Sequence, residues 1–486
     1  MYQVDFGRPE KIHFIGIGGI SMSGLAQVLL QRGFTVSGSD ASESELVKRL
    51  AQEGARIYIG QRASNVAKDL DAVVYTAAIS EDNPELMRCK ELGLPMLTRA
   101  ELLGQLMKNY ALPVAVAGTH GKTTTTSMLS EVLVAMGTDP TLSVGGMLKS
   151  IGGNIRLGNG EIFVTEACEY TNSFLSFFPL IDIVLNIDAD HLDFFKDMEH
   201  IRASFKSFME LVPEGGLVLL HAGVAEPKEL TEHVRGEVLT FGIAEGEDTP
   251  DLYATDLTYD ENGHPAFVCH VKYKTLEVLE NVKGSMLDAG SLTEKGKDLT
   301  FPVSLGVVGE HNVSNSLSVI ATALLFGGKP EVITRALAGF TGTDRRFEYK
   351  GQIGGVTIID DYAHHPTEIR ATLKAAEKYP HKELRVVFQP HTYTRTQALL
   401  HDFAEALSFA DEVILADIYA AREKNTIGIS SRTLQAELEK LGAPCVYFPT
   451  FDEIENYLLK KCSGGDLLIT MGAGDVYKIG EKLLGR

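Results

Sequence analysis

Residues 113–124 read PVAVAGTHGKTT. The apolar run Pro113 to Ala117 predicts a buried strand, and a helix from about Lys122 to Met136 is expected after it. Between them lies Gly118-Thr119-His120-Gly121-Lys122-Thr123-Thr124, a turn whose amide N–H groups can wrap a polyphosphate. Lys122 would reach the terminal phosphates, and the Thr123 hydroxyl would bind Mg²⁺. The spacing is shorter than the usual G-x-x-x-x-G-K, because Val116 stands where the first Gly belongs. A Gly-Lys turn capping an ordinary helix would look similar. The strand before it and the helix after it point instead to ATP, held by Gly118, Thr119, His120, Gly121, Lys122, Thr123 and Thr124.

Two more strand-then-helix starts flank this one. Lys11 to Ile17 reads as a strand, with a helix from about Ser21 to Gln31; Gly355 to Asp360 precedes a helix from about Pro366 to Lys378. Short apolar runs alternating with helical periodicity predict parallel sheets covered by helices, an α/β chain. Further strands are expected at Phe34 to Ser39, Ile162 to Thr165, Ile181 to Ile187, Leu217 to Leu220, Leu384 to Phe388, Glu412 to Ala416 and Asp466 to Ile469. Glu245 to Thr300 is less regular and reads as antiparallel strands, before a helix from about His311 to Phe326. The stops at Met107 to Leu112 and Gly327 to Pro330 divide the chain into 1–109, 110–328 and 329–486.

Gly16-Ile17-Gly18-Gly19-Ile20-Ser21 follows a strand and opens a helix, and Asp40 closes the next strand. Glycine lets a pyrophosphate approach the helix N-terminus, and an acid at Asp40's place can bind ribose. Ser21 holds the place of the third glycine. The motif by itself fits NAD and a sugar nucleotide equally.

Glu166 ends one strand, and Asp188, Asp190, His191 and Asp193 follow another. Ligands collect at the carboxyl ends of parallel strands, so both groups are expected to face the phosphate loop. Thr123, Glu166 and His191 are the expected metal set. Asp193 reads as a cap, Glu169 as either a ligand or a structural acid, and Cys168 as a packed thiol. Further on, Asn312 and Asn315 share a helix face, and Asn amides can match the edge of adenine. Arg345 and Arg346 offer two guanidiniums for phosphate. Asp361, Tyr362, His364 and His365 lie at a strand end, as do His391 and Arg395. Arg395 could hold a carboxylate.

The 486 residues carry 45 Lys and Arg against 65 Asp and Glu, a net charge of −20. That balance excludes a general nucleic-acid binder, whose footprint is basic. No apolar run reaches the roughly 18 residues of a membrane helix, and no secretory signal is read in Met1 to Pro9. Cys89, Cys168, Cys269, Cys445 and Cys462 form no C-x-x-C pair, which fits a reduced, cytoplasmic enzyme.

Seven stretches taken together resemble the Mur ligases, ATP-dependent amide-forming enzymes of peptidoglycan precursor synthesis: HFIGIGGISMSGLA, AGTHGKTTTT, NIDADHLDFF, GEHNVSNSL, GTDRRFEY, DYAHHPTEI and QPHTYTRT, in the family's order over residues 13–396. The first and last two favour the alanine-adding branch. The resemblance implies an N-terminal Rossmann-like domain for a UDP sugar, a central ATPase domain and a C-terminal Rossmann-like domain. Gly16, Gly18, Gly19, Ser21 and Asp40 would then meet UDP. Asn312 and Asn315 would meet adenine, and Arg346 and Asp361 the nucleotide. Tyr362, His365, His391 and Arg395, with His191, would surround the muramoyl group and incoming L-alanine, and His365 would be the amine's base. Implied substrates are UDP-N-acetylmuramate, L-alanine and ATP, with Mg²⁺. The chain departs from the family pattern at Ser21, at Asp188 (Glu in many members), at Cys168 and at Thr392, where some members carry Arg; Arg395 would then do more of the carboxylate holding. Alternatives are a recycling ligase that adds a preformed peptide, an NAD-dependent oxidoreductase and a non-catalytic nucleotide sensor. The sequence leaves the oligomeric state open.

Overall fold

The computed structural model describes residues 2–76, 79–192, 194–244, 246, 249–421 and 423–486. Its strands form three sheets, one after another along the chain. The first is wholly parallel, in the spatial order Arg56–Ile59, Thr35–Asp40, Lys11–Ile15, Ala72–Tyr75, Met96–Thr98. Strand order reverses between Lys11–Ile15 and Ala72–Tyr75, and the glycine turn sits at that switch point, where such sheets open a ligand crevice.

In the second sheet the strand Leu112–Ala117 is buried along its whole length. It lies between Ile162–Ala167 on one side and Ile181–Val184 on the other, parallel to both. Glu166 and residues 186–191 therefore emerge on opposite flanks of the phosphate loop. The edges are antiparallel: Leu252–Tyr259, Pro265–Val271 and Leu299–Ser304 at one end, and the hairpin Thr141–Leu148/Gly153–Arg156 at the other. The first of these is the expected irregular stretch, with helices Tyr273–Asn281 and Ala289–Leu292 between its last two strands.

The third sheet runs Glu348–Ile353, Val356–Asp361, Leu467–Met471, Leu384–Phe388, Glu412–Leu415, Cys445–Tyr447, antiparallel only at Glu348–Ile353. Three adjacent strands bring the segments after Asp361, Phe388 and Met471 side by side.

The packing revises one expectation. The helix Pro330–Gly339 lies beyond the expected domain end at 328, yet Ile333, Leu337 and Phe340 are buried in the second core. Gly327-Gly328 is a stop between two helices of one domain, not a linker. The first two sheets also share a core. Leu25, Leu29, Leu102 and Leu106 belong to the same apolar cluster as Phe163, Phe174, Phe205 and Leu220. Two glycines allow the approach. A Cβ at Gly24 would lie 2.3 Å from Ile155, and one at Gly104 only 1.9 Å from the Ser176 carbonyl oxygen. The third sheet keeps clusters of its own, one on each face.

Candidate active site

Gly118 (φ +140°) and Gly121 (φ +85°) take conformations that L side chains rarely adopt, so the phosphate loop needs glycine at both. The helix Lys122–Ala135 starts directly after Gly121. The loop is braced by residues 186–188. Asn186 accepts the His120 N–H (2.8 Å) and donates to the His120 carbonyl (3.0 Å), while the Asp188 N–H donates to the Thr119 hydroxyl (2.9 Å). Lys122 Nζ donates to the Gly118 and Thr119 carbonyls and to Glu169, at 2.9 and 3.3 Å. Glu169 is only 2% exposed. The phosphate-seeking ammonium thus already holds an internal anion.

The expected metal set is brought only partly together. Thr123 Oγ1 donates to Glu166 Oε2 at 3.2 Å, and the Gly145 N–H donates to the other oxygen. A Cβ on Gly145 would come 2.4 Å from the carboxylate. Burial pushes the Glu166 pKa up, against the pull of Gly145 and Lys122. A buried carboxylate beside a hydroxyl, at the mouth of a phosphate loop, is an oxygen set of the kind Mg²⁺ takes with ATP phosphates. Among the described residues, no hydrogen bond or ion pair joins His191 to Thr123 or Glu166. His191 has φ +53°, and its ring lies tilted against Tyr170, with ring centroids 4.5 Å apart. Asp193 lies outside the described residues.

His120, Asp188 and His365 bring potential ligand atoms within 4.8 Å of one another. Burial opposes a charge on His120, but hydrogen bonds to Asp188 (3.3 Å) and Glu368 (3.5 Å) prevail and push its pKa up to about 9. Held between these two carboxylates, His120 favours its protonated form, which would put a second positive charge beside the loop. Glu368, held well below the usual range despite burial, also faces His364 and Arg346. Burial pushes His364 down to about 4.

A cavity of about 440 Å³ opens between the second and third sheets. His120, Gly121, Thr124, Asn312, Asn315, Arg346 and Asp361 all line it. Asn312 Nδ2 donates to the Val308 carbonyl (2.8 Å) and Asn315 donates to Asn312 Oδ1 (3.3 Å). Asp361 accepts the N–H groups of Ala363 and Phe347, and burial pushes it up to about 6. Asn262 and His264, in the turn between Leu252–Tyr259 and Pro265–Val271, also reach this cavity. Nothing local in the sequence marks Asn262 and His264, and Glu368 stands in the stretch DYAHHPTEI without a role of its own. Of the two adjacent arginines, only Arg346 is available. Arg345 donates to Asp360 (2.9 Å) and to the carbonyls of Gly474 (2.9 Å) and Gly472 (2.7 Å), correcting the expectation of two phosphate-binding guanidiniums. Tyr362 lies beneath both, with Arg345 at 5.0 Å and Arg346 at 5.1 Å from its ring.

His365 caps the helix Pro366–Glu377. Its Nδ1 accepts the Thr367 N–H (3.3 Å), so Nε2 carries the proton donated to the Ala189 carbonyl (2.9 Å). Burial lowers its pKa, and neither nitrogen offers a free lone pair in this state. Arg395 bonds Asp190 (2.9 and 3.3 Å) and His391 Nδ1 (3.0 Å).

At the N-terminal turn, Gly16 takes φ +83° beside Thr76, and the Gly18 N–H donates to Asp40 Oδ2 at 2.8 Å. Asp40 Oδ1 accepts the Ser42 N–H at 3.3 Å. Asp40 therefore shapes the turn, and a side chain at Gly18 would strike it. Gly19 precedes the helix Ile20–Gln31, and Ser21 lies in its first turn.

A phosphate loop in one α/β layer, roofed by arginine and histidine from another, defines an enzyme that uses a nucleoside triphosphate between domains. Comparison with known proteins narrows the class. The model described as "Mur ligase family, catalytic domain" matches residues 11–111, "Mur ligase middle domain" 116–323, and "Mur ligase, glutamate ligase domain" 345–474. The chain belongs to the Mur ligase family. It is 53% identical over 484 residues to the UDP-N-acetylmuramate–L-alanine ligase of Agathobacter rectalis, covering 100% of both chains. The crystal structure of UDP-N-acetylmuramate–alanine ligase from Thermotoga maritima superposes with a TM-score of 0.74 at 29% identity, covering 98% of this chain and 99% of that one. A murein peptide ligase from Psychrobacter arcticus shares the fold, with a TM-score of 0.67 at 23% identity and 98% coverage of each chain.

Proposed function

We propose that this protein joins L-alanine to the lactyl carboxylate of UDP-N-acetylmuramate at the expense of ATP. The products are UDP-N-acetylmuramoyl-L-alanine, ADP and phosphate, a step of peptidoglycan precursor synthesis. The observation that carries the reading is the 53% identity, end to end, to ligases of that name. The lactyl carboxylate oxygen bonds to the γ-phosphorus and ADP leaves, giving an acyl phosphate. The alanine amine, having lost a proton, bonds to the acyl carbon, and phosphate leaves. Three anions meet in the first step, so neutralising their charge is the largest catalytic demand.

Lys122 answers it by leaving Glu169 for the phosphates, with His120 and Arg346 alongside. Asn312 and Asn315 face the adenine, and Asp361 holds the wall that carries Arg346. The glycine turn, Asp40, Tyr362 and His391 take the UDP sugar. Thr123 and Glu166 would hold Mg²⁺ together with His191, and the ion would supply charge neutralisation on the phosphates. His365 in this state is a strut between domains, and it must leave Ala189 before it can take the amine's proton. Docking of the third sheet over the loop excludes water, which would otherwise hydrolyse the acyl phosphate.

A cytoplasmic setting goes with ATP as a substrate; no helix among the described residues is long and apolar enough to cross a membrane. The test is phosphate release with UDP-N-acetylmuramate and ATP against a panel of amino acids and a tripeptide. Turnover with L-alanine is expected. Turnover only with the tripeptide would make the protein a recycling ligase, and none at all would leave a sensor.

A further inference from the structure

Three consecutive residues after the strand Ile181–Val184 are each taken by one side chain of the third domain. Asp188 Oδ2 accepts the Thr367 hydroxyl (2.7 Å), the Ala189 carbonyl accepts His365 Nε2–H (2.9 Å), and Asp190 Oδ1 accepts Arg395 (2.9 Å). The fourth residue is His191. Asp190 Oδ1 also accepts the His191 N–H at 2.7 Å, and Oδ2 lies 3.8 Å from His191 Nε2. One buried carboxylate therefore touches both the docking guanidinium and the histidine read as a metal ligand.

His191 is otherwise boxed in. Its left-handed backbone is kept in place because its carbonyl accepts the N–H groups of Phe194 and Phe195, each at 2.9 Å. Tyr170 covers one face of the ring at an interplanar angle of 32°. Among the described residues, Asp190 is the other side chain recorded against His191, and Arg395 fixes where Asp190 points. Arg395 in turn has Nε and one Nη on Asp190, with the other Nη on His391. So committed, it does not present the open two-pronged fork that a substrate carboxylate needs.

We propose that Asp190 is a positioning residue that transmits docking of the third domain, through Arg395, to the imidazole of His191, so that the metal-holding group is set only once the domain has closed. The proposal rests on the reading of His191 as a metal ligand. Partners that orient a ligating histidine from behind change metal affinity by about 10- to 100-fold when removed.

The test uses the full chain with a non-hydrolysable ATP analogue. Mn²⁺ binding is followed by electron paramagnetic resonance, so that no turnover is needed, and alanine kinetics are measured separately. Asp190→Asn and Arg395→Ala should each weaken Mn²⁺ binding roughly 10-fold or more. The double variant should be no weaker than the worse single one, because both act on one chain of contacts. Arg395→Lys, which keeps the charge, should recover part of the loss, and the KM for L-alanine should change far less than the Mn²⁺ affinity. If Arg395→Ala instead raises the KM for L-alanine and leaves Mn²⁺ binding intact, the arginine is a carboxylate clamp and the proposal is wrong. His191→Ala separates the two layers. If it leaves Mn²⁺ binding unchanged, the metal reading fails and takes the relay with it. If it weakens Mn²⁺ binding while Asp190→Asn does not, only the relay fails.

Discussion

Lys122 Nζ stands 2.9 Å from Glu169 Oε2, both largely buried, in the place where a phosphate is expected. The pair makes the loop self-neutralising, and ATP must displace Glu169 to gain the lysine. Lys122→Ala should abolish ADP formation while UDP-sugar binding, measured by calorimetry, survives. Loss of both would mean that the two sites are not separate.

Removing the other half of the pair has a different signature. Glu169→Gln leaves a buried ammonium without its counter-charge, which costs up to about 3 kcal/mol. The variant should melt well below the parent protein without nucleotide. Saturating ATP and Mg²⁺ should recover most of the difference, because phosphate replaces the lost anion. Equal losses with and without ATP would show that Lys122 does not change partners.

Asp40 accepts the Gly18 N–H and the Ser42 N–H, so Asp40→Ala leaves the glycine turn unsupported. The Gly18 N–H is only partly buried, so water can take it up and the effect falls on the shape of the turn more than on stability. The KM for the UDP sugar should rise roughly 10- to 100-fold, and that for ATP far less. Steady-state kinetics with each substrate varied in turn decides it.

The His120 cluster sets a pH window. His120 is raised above its unfolded value of 6.5, to about 9, so its stabilisation is complete below 6.5 and is lost as pH rises through 9. Asp188 is depressed, first by the His120 hydrogen bond, so its share is present above its unfolded value of 3.8 and is lost as pH falls through its lowered pKa. The ligand-free protein should therefore be destabilised on both limbs. His120→Gln should flatten the alkaline one, as read from melting temperatures across pH.

A Cβ at Gly104 would sit 1.9 Å from a backbone oxygen, which cannot swing aside as a side chain can. Gly104→Ala should cost on the order of 3 kcal/mol and loosen the first sheet from the second. Limited proteolysis near residue 110 would report it.

The placement of much of the candidate site is readable in the sequence because strand ends are readable from apolar runs. Gly118 to Thr124 and His191 come after strands, and Glu166 is the next-to-last residue of one. The rest depends on partners far away in sequence. Arg345 and Arg346 are neighbours with the same side chain, yet a left-handed backbone at Arg345 turns it onto Gly472 and Gly474, 127 and 129 residues on. Glu368 gains its importance from His120, across a domain boundary. The second boundary was misplaced for a related reason: Gly327-Gly328 stops a helix, and only packing shows that Ile333 and Leu337 return to the same core.

The shared core of the first two sheets has a consequence for how the molecule comes apart. Three sheets would ordinarily suggest three cooperative units, but Leu25 and Phe205 lie in one apolar cluster and must lose it together. The third domain, tied to the others by hydrogen bonds at residues 188–190, owns its interior outright. A calorimetric scan should therefore resolve two transitions, and the smaller should be the one that moves when substrates are added.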